Sequence, residues 1–320
     1  TERRSYDLLT EGFGPGFNGT LTVVVDAPEI ARTEQEQFGK DVAATLQGFP
    51  GVAAVSPAMP NEAGDLWIVQ VTPKTGPASD ETRDLVTGLR EAAAELPKDA
   101  NVSAYVTGQT AVNIDTADRL AEALPLYIAV VVGLALLLLM VVFRSILVPL
   151  KAAAGFLLSI AASLGITVWI FQDGNLGGLF DVATAGPLVS FLPILLIGIL
   201  FGLAMDYEVF LVSRMRERFV HSGNAKDAVV QGYTDSGRVV IAAATIMMVV
   251  FGAYILSPDP IVKSIGLSLA VGILADAFIV RLTLVPAVMA LLGKRAWWMP
   301  KRVERVVPDL DIEGARLQTT

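Results

Sequence analysis

The chain has 320 residues, 53% of them hydrophobic, and a mean hydropathy of +0.57, too apolar for an ordinary soluble domain. Its charge is split: residues 1–124 hold 9 Lys+Arg against 19 Asp+Glu, a net of −10, and residues 125–320 hold 15 against 13, a net of +2. The lack of cysteine excludes disulfides and thiolate chemistry, no basic face offers itself to nucleic acid, and the single histidine, His221 in the polar HSGN loop, makes no metal site.

The acidic part reads as a small α+β domain. EGFGPGFNG (11–19) contains G-x-G-x-x-G at Gly14, Gly16 and Gly19. It precedes a strand and includes Pro15, so it is a glycine-rich loop rather than a dinucleotide-binding turn. TLTVVVD (20–26) predicts a strand and residues 31–47 an amphipathic helix. GVAAVSP (51–57) and DLWIVQVTP (65–73) predict two strands joined by the turn-rich MPNEAG. A second helix is expected over 79–96, with Ser79 as N-cap and Pro97 as stop, then a strand over 101–108. The order β-α-β-β-α-β is that of a ferredoxin-like split βαβ unit. A further helix, 109–122, leads into the apolar part.

Five stretches in that part are long enough to cross a hydrocarbon core of about 30 Å, which takes about 20 helical residues. They are 125–143, 152–171, 188–213, 239–257 and 264–292. The chain thus reads as an α-helical membrane bundle of five transmembrane helices (125–292) behind the α+β domain (1–124), with a tail over 293–320. Lys and Arg favour the cytoplasmic side. Arg144 and Lys151 lie in one loop, Arg214, Arg216, Arg218, Lys226 and Arg238 in the loop 214–238, and Lys294, Arg295, Lys301, Arg302, Arg305 and Arg316 in the tail. The alternate loops hold almost none. Residues 1–124 are therefore expected outside and the tail inside. A 124-residue domain outside, with nothing in the chain to start its export, predicts a fragment preceded by at least one membrane helix.

Charges at mid-bilayer are expensive and face a bundle interior. The candidates are Asp206 and Glu208 in the third span and Asp276 and Arg281 in the fifth. Gly198, Gly202 and Asp206 recur every four residues, as do Ser268, Gly272 and Asp276, so each acid shares a face with small residues that let helices approach closely. On an α-helix Glu208 lies about 200° from Asp206 and Tyr207 about 100°. These three therefore cannot converge on one ligand. Arg281 lies about 140° from Asp276, which makes a pair within the helix strained and leaves a cross-helix pairing with Asp206 or Glu208. In one reading Asp206 takes and releases protons with Tyr207 hydrogen-bonding its charged form. In the other the acids are permanently ion-paired and fix helix register.

FGLAMDYEVFLVSRMRER (201–218) resembles the signature in the second half of MmpL-type transporters of the resistance-nodulation-division superfamily. ADAFIVRLTLVPAVMALLG (275–293) resembles their last membrane helix, and EGFGPGFNG with GQTAVNIDTADRL (108–120) the margins of their outer domain. The resemblance implies the C-terminal half of a bacterial plasma-membrane protein, without its first helix, that exports lipids or other hydrophobic compounds on proton flow. It implies a proton-relay role for Asp206 and Tyr207, matches Asp276 and Arg281 to the closing helix, and calls for no cofactor or metal. Partners would be a hydrophobic substrate, protons and the missing N-terminal half, and the reading accommodates a homo-oligomer. The partner Asp-Tyr motif of the first half is not in this chain, so a relay using both halves needs the rest of the protein. A non-transporting assembly or sterol-sensing-like subunit with structural acids is the alternative. A membrane enzyme is disfavoured because no nucleophile–base pair, metal cluster or phosphate loop is present.

Overall fold

A computed structural model describes residues 2–96, 101–180 and 186–301. The expected stop Pro97 and the tail cations Arg302, Arg305 and Arg316 lie outside the described residues. The chain divides after Arg119 into two compact units.

The N-terminal unit is a small antiparallel sheet with helices. Helix α1 (Glu2–Phe13), which the sequence did not announce, and a short 3-10 turn (Pro15–Gly19) lead into strand β1 (Leu21–Asp26). Gly16 explains part of the glycine-rich loop: a Cβ there would sit 1.7 Å from the Pro73 carbonyl oxygen, so only glycine fits. Helix α2 (Gln35–Gln47), strands β2 (Val52–Val55), β3 (Met59–Pro60) and β4 (Leu66–Pro73), helix α3 (Asp80–Ala94) and strand β5 (Ser103–Thr107) follow. The sheet order is β2-β4-β1-β5, with the two-residue β3 on β4 inside the expected turn. Every pairing is antiparallel.

Alternation sets the register. Leu21, Val23 and Val25 of β1 are buried together with Trp67, Val69 and Val71 of β4, every second residue on one face. Ser79 caps α3 by accepting from the Thr82 N–H at 3.2 Å. Arg90 then clamps the next helix, donating to Asp115 Oδ1 at 2.5 Å and Oδ2 at 2.8 Å and to the Val106 carbonyl at 3.3 Å. A bidentate guanidinium fixes orientation as well as distance.

The second unit is helical. Helix α4 (Gln109–Phe143) carries Pro125 inside it and runs without a break from the segment expected over 109–122 into the first span. Helices α5 (Leu147–Thr167), α6 (Leu192–Ser222), α7 (Ala225–Ala253), α8 (Pro260–Leu274) and α9 (Val285–Leu292) follow. A π-helical segment (Ala275–Leu284) joins α8 to α9, and another (Val168–Gln172) extends α5. With these extensions, five helical stretches are long and apolar enough to cross a membrane: Gln109–Phe143, Leu147–Gln172, Leu192–Ser222, Ala225–Leu256 and Pro260–Trp297.

The region 214–238, expected as a loop, is helical apart from Gly223 and Asn224. Arginine and glutamate are good helix formers, so α6 continues past the apolar run until a residue is required that ends it. Gly223 adopts a left-handed φ of 65° and closes α6 with its N–H on the Phe219 carbonyl, and Asn224 caps α7 by accepting from the Lys226 N–H at 3.1 Å. His221 thus lies in the last turn of α6 rather than in a loop, its Nδ1 2.7 Å from the Glu217 carbonyl oxygen. Lys151, counted from sequence as a loop cation, lies inside α5 because that helix already starts at Leu147.

Candidate functional site: a buried charge network

Three elements bring the intramembrane charges together. Helix α5 supplies Lys151 and Ser159, α6 supplies Glu208, and the π-helical segment supplies Asp276 and Arg281. Lys151 Nζ lies 2.6 Å from Glu208 Oε1, and Arg281 Nη1 lies 2.9 Å from Glu208 Oε2. Arg281 also turns its Nε to Asp276 Oδ2 at 2.6 Å and its Nη2 to Oδ1 at 3.3 Å. Ser159 donates to Asp276 Oδ1 at 3.4 Å. Glu208 is 1% exposed, Arg281 2% and Asp276 6%. Two cations and two carboxylates sum to zero formal charge. Each ion loses several kcal/mol of hydration on burial, which only close pairing on all sides offsets.

The π-helix is what lets Arg281 reach Asp276. On an α-helix the two would be splayed apart, as expected above. In a π-helix the bonded partner is five residues away instead of four, so residue 281 lies over residue 276. The expected strain is therefore absent, and the cross-helix pairing is with Glu208 rather than Asp206.

Small residues bring the helices close enough for these contacts. A Cβ on Gly155 of α5 would lie 2.4 Å from Val280 Cγ1, and one on Gly272 of α8 would lie 2.5 Å from Leu200 Cδ1. A hydroxyl seam continues the α5–α8 contact: Ser163 donates to the Ser268 carbonyl at 2.6 Å, and Thr167 Oγ1 lies 2.7 Å from Ser268 Oγ. Ser159, Ser163, Thr167 and Ser268 are buried.

Asp206 belongs elsewhere. It is exposed in this chain and makes no hydrogen bond or ion pair among the described residues. It opens onto a cleft of about 500 Å³ lined also by Phe143, Ser213, Arg214, Arg216 and Glu217. Its ridge is open as well. Nothing lies within 4 Å of a Cβ on Gly202, and one on Gly198 would meet only the Tyr127 hydroxyl, at 2.9 Å. Tyr207 is half-buried and donates to Met247 Sδ at 3.2 Å, not to Asp206. The structure thus separates the acids as helical geometry requires, with Glu208 inside the network and Asp206 outside it. The arginines below them are engaged. Arg214 pairs with Glu217 at 3.0 Å and Arg218 with Asp235 at 2.7 Å, while Arg216 donates to the Phe143 carbonyl and lies over the Trp297 ring.

Sequence reasoning missed Lys151 and Ser159. The signal was present: Lys151, Gly155, Ser159, Ser163 and Thr167 recur every four residues, the same ridge rule that singled out Asp276.

Among curated proteins, the chain is 50% identical over 316 residues to membrane protein YdfJ of Bacillus subtilis, covering 99% of this chain and 43% of that protein. It is 33% identical over 316 residues to the mycolic acid-containing lipids exporter MmpL11 of Mycolicibacterium smegmatis, covering 97% of this chain and 33% of the exporter. It therefore spans less than half the length of these relatives. Among solved structures, SecDF in its super-membrane-facing form aligns over 89% of this chain and 35% of that one, at 16% identity and a TM-score of 0.37, too low to carry an argument. Residues 17–308 match the profile of the MMPL family, and the chain belongs to that family.

Proposed function

We propose that the chain is the second half of a proton-motive-force-driven exporter of lipids or other hydrophobic compounds. The observation that carries this reading is the division of labour among the membrane acids. Glu208 and Asp276 are each held by cations, Glu208 by Lys151 and Arg281 and Asp276 by Arg281, and protonating either would strand a buried positive charge. Among the described residues Asp206 makes no hydrogen bond or ion pair, so no cation holds it as Lys151 and Arg281 hold the other two acids. Asp206 is the proton carrier, Tyr207 the adjoining relay hydroxyl, and Asp276 with Arg281 and Glu208 keeps the charge balanced while the helices move.

Two further observations support the reading. The network lies within helices long and apolar enough to cross a membrane, and a relative that aligns over 97% of the chain is named as a lipid exporter. The sheet order, with β3 set aside, is that of a split βαβ unit, which supports a ferredoxin-like domain; on the exporter reading that domain lies on the outer side and forms part of the substrate path. The tail after residue 292 would then be cytoplasmic.

The test is the full-length protein carrying Asp206→Asn. Export and proton uptake should both fall by at least tenfold at normal protein level, and undiminished export would remove Asp206 from the mechanism. The pairing of Glu208 and Asp276 with Lys151 and Arg281 favours a second reading, a non-transporting subunit in which these charges fix helix register. That reading requires function to persist when the proton gradient is collapsed.

A further inference from the structure

At the end of the helical unit where α4 gives way to α5, a pocket of about 440 Å³ is walled by four cations, Arg144, Arg216, Lys294 and Arg295. Trp297, Trp298 and Met299 complete the lining, which includes no acid. The cations come from three separate stretches of chain: the α4–α5 junction, α6, and the 3-10 turn Gly293–Trp297 that follows α9. Like charges brought together repel, and an anion seated among them removes that cost.

The pocket is built into the fold rather than left between loose side chains. Arg144 takes a left-handed φ of 46°, a region that residues other than glycine rarely enter, and so turns the chain out of α4. Beside it, Ser145 donates to the Ala296 carbonyl at 2.6 Å and accepts from the Val148 N–H at 3.3 Å. The Ile146 N–H donates to the Trp298 carbonyl at 3.4 Å. These bonds fasten the turn after α9 to the α4–α5 junction. Trp297 is gripped as well: its ring stacks on Phe219 with centroids 5.8 Å apart, and the Arg216 guanidinium lies 5.3 Å from its centroid. Strained backbone held in place by its surroundings gathers at ligand sites.

The surroundings favour a lipid over a soluble anion. Leu284, Ala287 and Leu291 are exposed and recur at helical spacing, so they form one apolar stripe, and Lys294 stands three residues beyond it. Leu291, at the near end of the stripe, is 87% exposed. Trp298 is exposed too, and tryptophan is a residue that lies at head-group level. An apolar stripe that ends at a basic pocket matches a molecule with acyl chains and a phosphate, and basic pockets between membrane helices bind such head groups. A guanidinium can meet two phosphate oxygens at once, while an ammonium adds a point charge.

We propose that this pocket binds the phosphate head group of an anionic phospholipid, its acyl chains lying along the stripe that ends at Leu291, as a resident lipid of the fold rather than cargo. The site needs only that the helices span a membrane. It is read by binding, so a failed Asp206→Asn export test would leave it standing.

The experiment is native mass spectrometry of the full-length protein in detergent, titrated with phosphatidylglycerol or with phosphatidylcholine of the same acyl chains. One phosphatidylglycerol should bind about fivefold or more tightly than phosphatidylcholine. Lys294→Gln with Arg295→Gln removes two exposed cations of the pocket and should weaken that lipid by about fivefold or more. Lys226→Gln with Arg238→Gln removes as much charge from exposed positions of α7 outside the pocket and should leave the affinity within about twofold. Inorganic phosphate at the lipid's own concentration should not displace it. Equal binding of the two lipids, equal affinity in the two double variants, or displacement by inorganic phosphate would each overturn the proposal, the last by assigning the pocket to a soluble anion. Should limited proteolysis show the pocket double variant unfolded, Arg295→Gln compared with Arg238→Gln takes its place with the same outcomes.

Discussion

Arg281 and Asp276 lie five residues apart in one helical segment and are ion-paired through two nitrogens, because that segment is π-helical. The same guanidinium reaches Glu208 of α6, so Arg281 is the link between two buried carboxylates. Its replacement by methionine keeps the stem and removes the charge. Among the described residues, Asp276 then keeps the Ser159 hydroxyl alone and Glu208 keeps Lys151 alone. Arg281→Met is expected to destabilise the helical unit by about 3–5 kcal/mol, the usual cost of breaking a buried pair. Adding Asp276→Leu should restore part of that loss, giving a coupling of roughly 0.5–3 kcal/mol in a double-mutant cycle of denaturation in detergent. Strict additivity would show that the pair does not act as a unit.

The two acids of α6 should part company in stability. Asp206→Asn alters an exposed group without a hydrogen bond among the described residues, and a shift within about 0.5 kcal/mol is expected. Glu208→Gln leaves Lys151 and Arg281 facing a neutral amide in a site that is 1% exposed, and a loss of about 3 kcal/mol or more is expected. Thermal unfolding of the two purified variants in the same detergent decides the matter. Equal losses would place Asp206 in a structural pair as well.

Glycines on the two faces should also behave oppositely. A Cβ on Gly232 of α7 would lie 2.8 Å from both Cα and N of Met215, backbone atoms that cannot rotate away. Gly232→Ala therefore pushes α6 and α7 apart and should cost about 1–3 kcal/mol. Gly202→Ala meets nothing within 4 Å and should be neutral or stabilising by up to about 1 kcal/mol through helix propensity. Unfolding midpoints of the pair provide the check.

The two-residue junction between α6 and α7 predicts its own sensitivity. Gly223→Ala forces a side chain into the left-handed region and should cost about 1 kcal/mol. Asn224→Ala removes the N-cap of α7, also at about 1 kcal/mol. Hydrogen exchange at Ala225 to Asp227 should quicken in Asn224→Ala before it does in the middle of α7. Unchanged exchange there would show that the cap contributes nothing.

Particular residues show where sequence reasoning worked and where it stopped. The strand over 20–26 and the cap at Ser79 were readable because strand composition and capping are local properties. The separation of Asp206 from Glu208 was readable because a helix turns by a fixed angle per residue. Lys151 was misread as a loop cation because local charge counting cannot tell where a helix begins beneath an interface. The loop over 214–238 was misread for the opposite reason: charged residues mark the end of an apolar run, not the end of a helix.

By itself, the sequence determined that the chain has an acidic α+β part and five apolar spans, with rare charges set on small-residue faces. These follow from composition and from periods of two and 3.6 residues. Only the tertiary structure decided which charges meet. The π-helical turn beneath Arg281, the start of α5 ahead of Lys151 and the close approach at Gly155 and Gly272 together make one neutral cluster of four ions. Ion pairing depends on distances between helices, and a one-dimensional pattern carries the faces of those helices but not their separation.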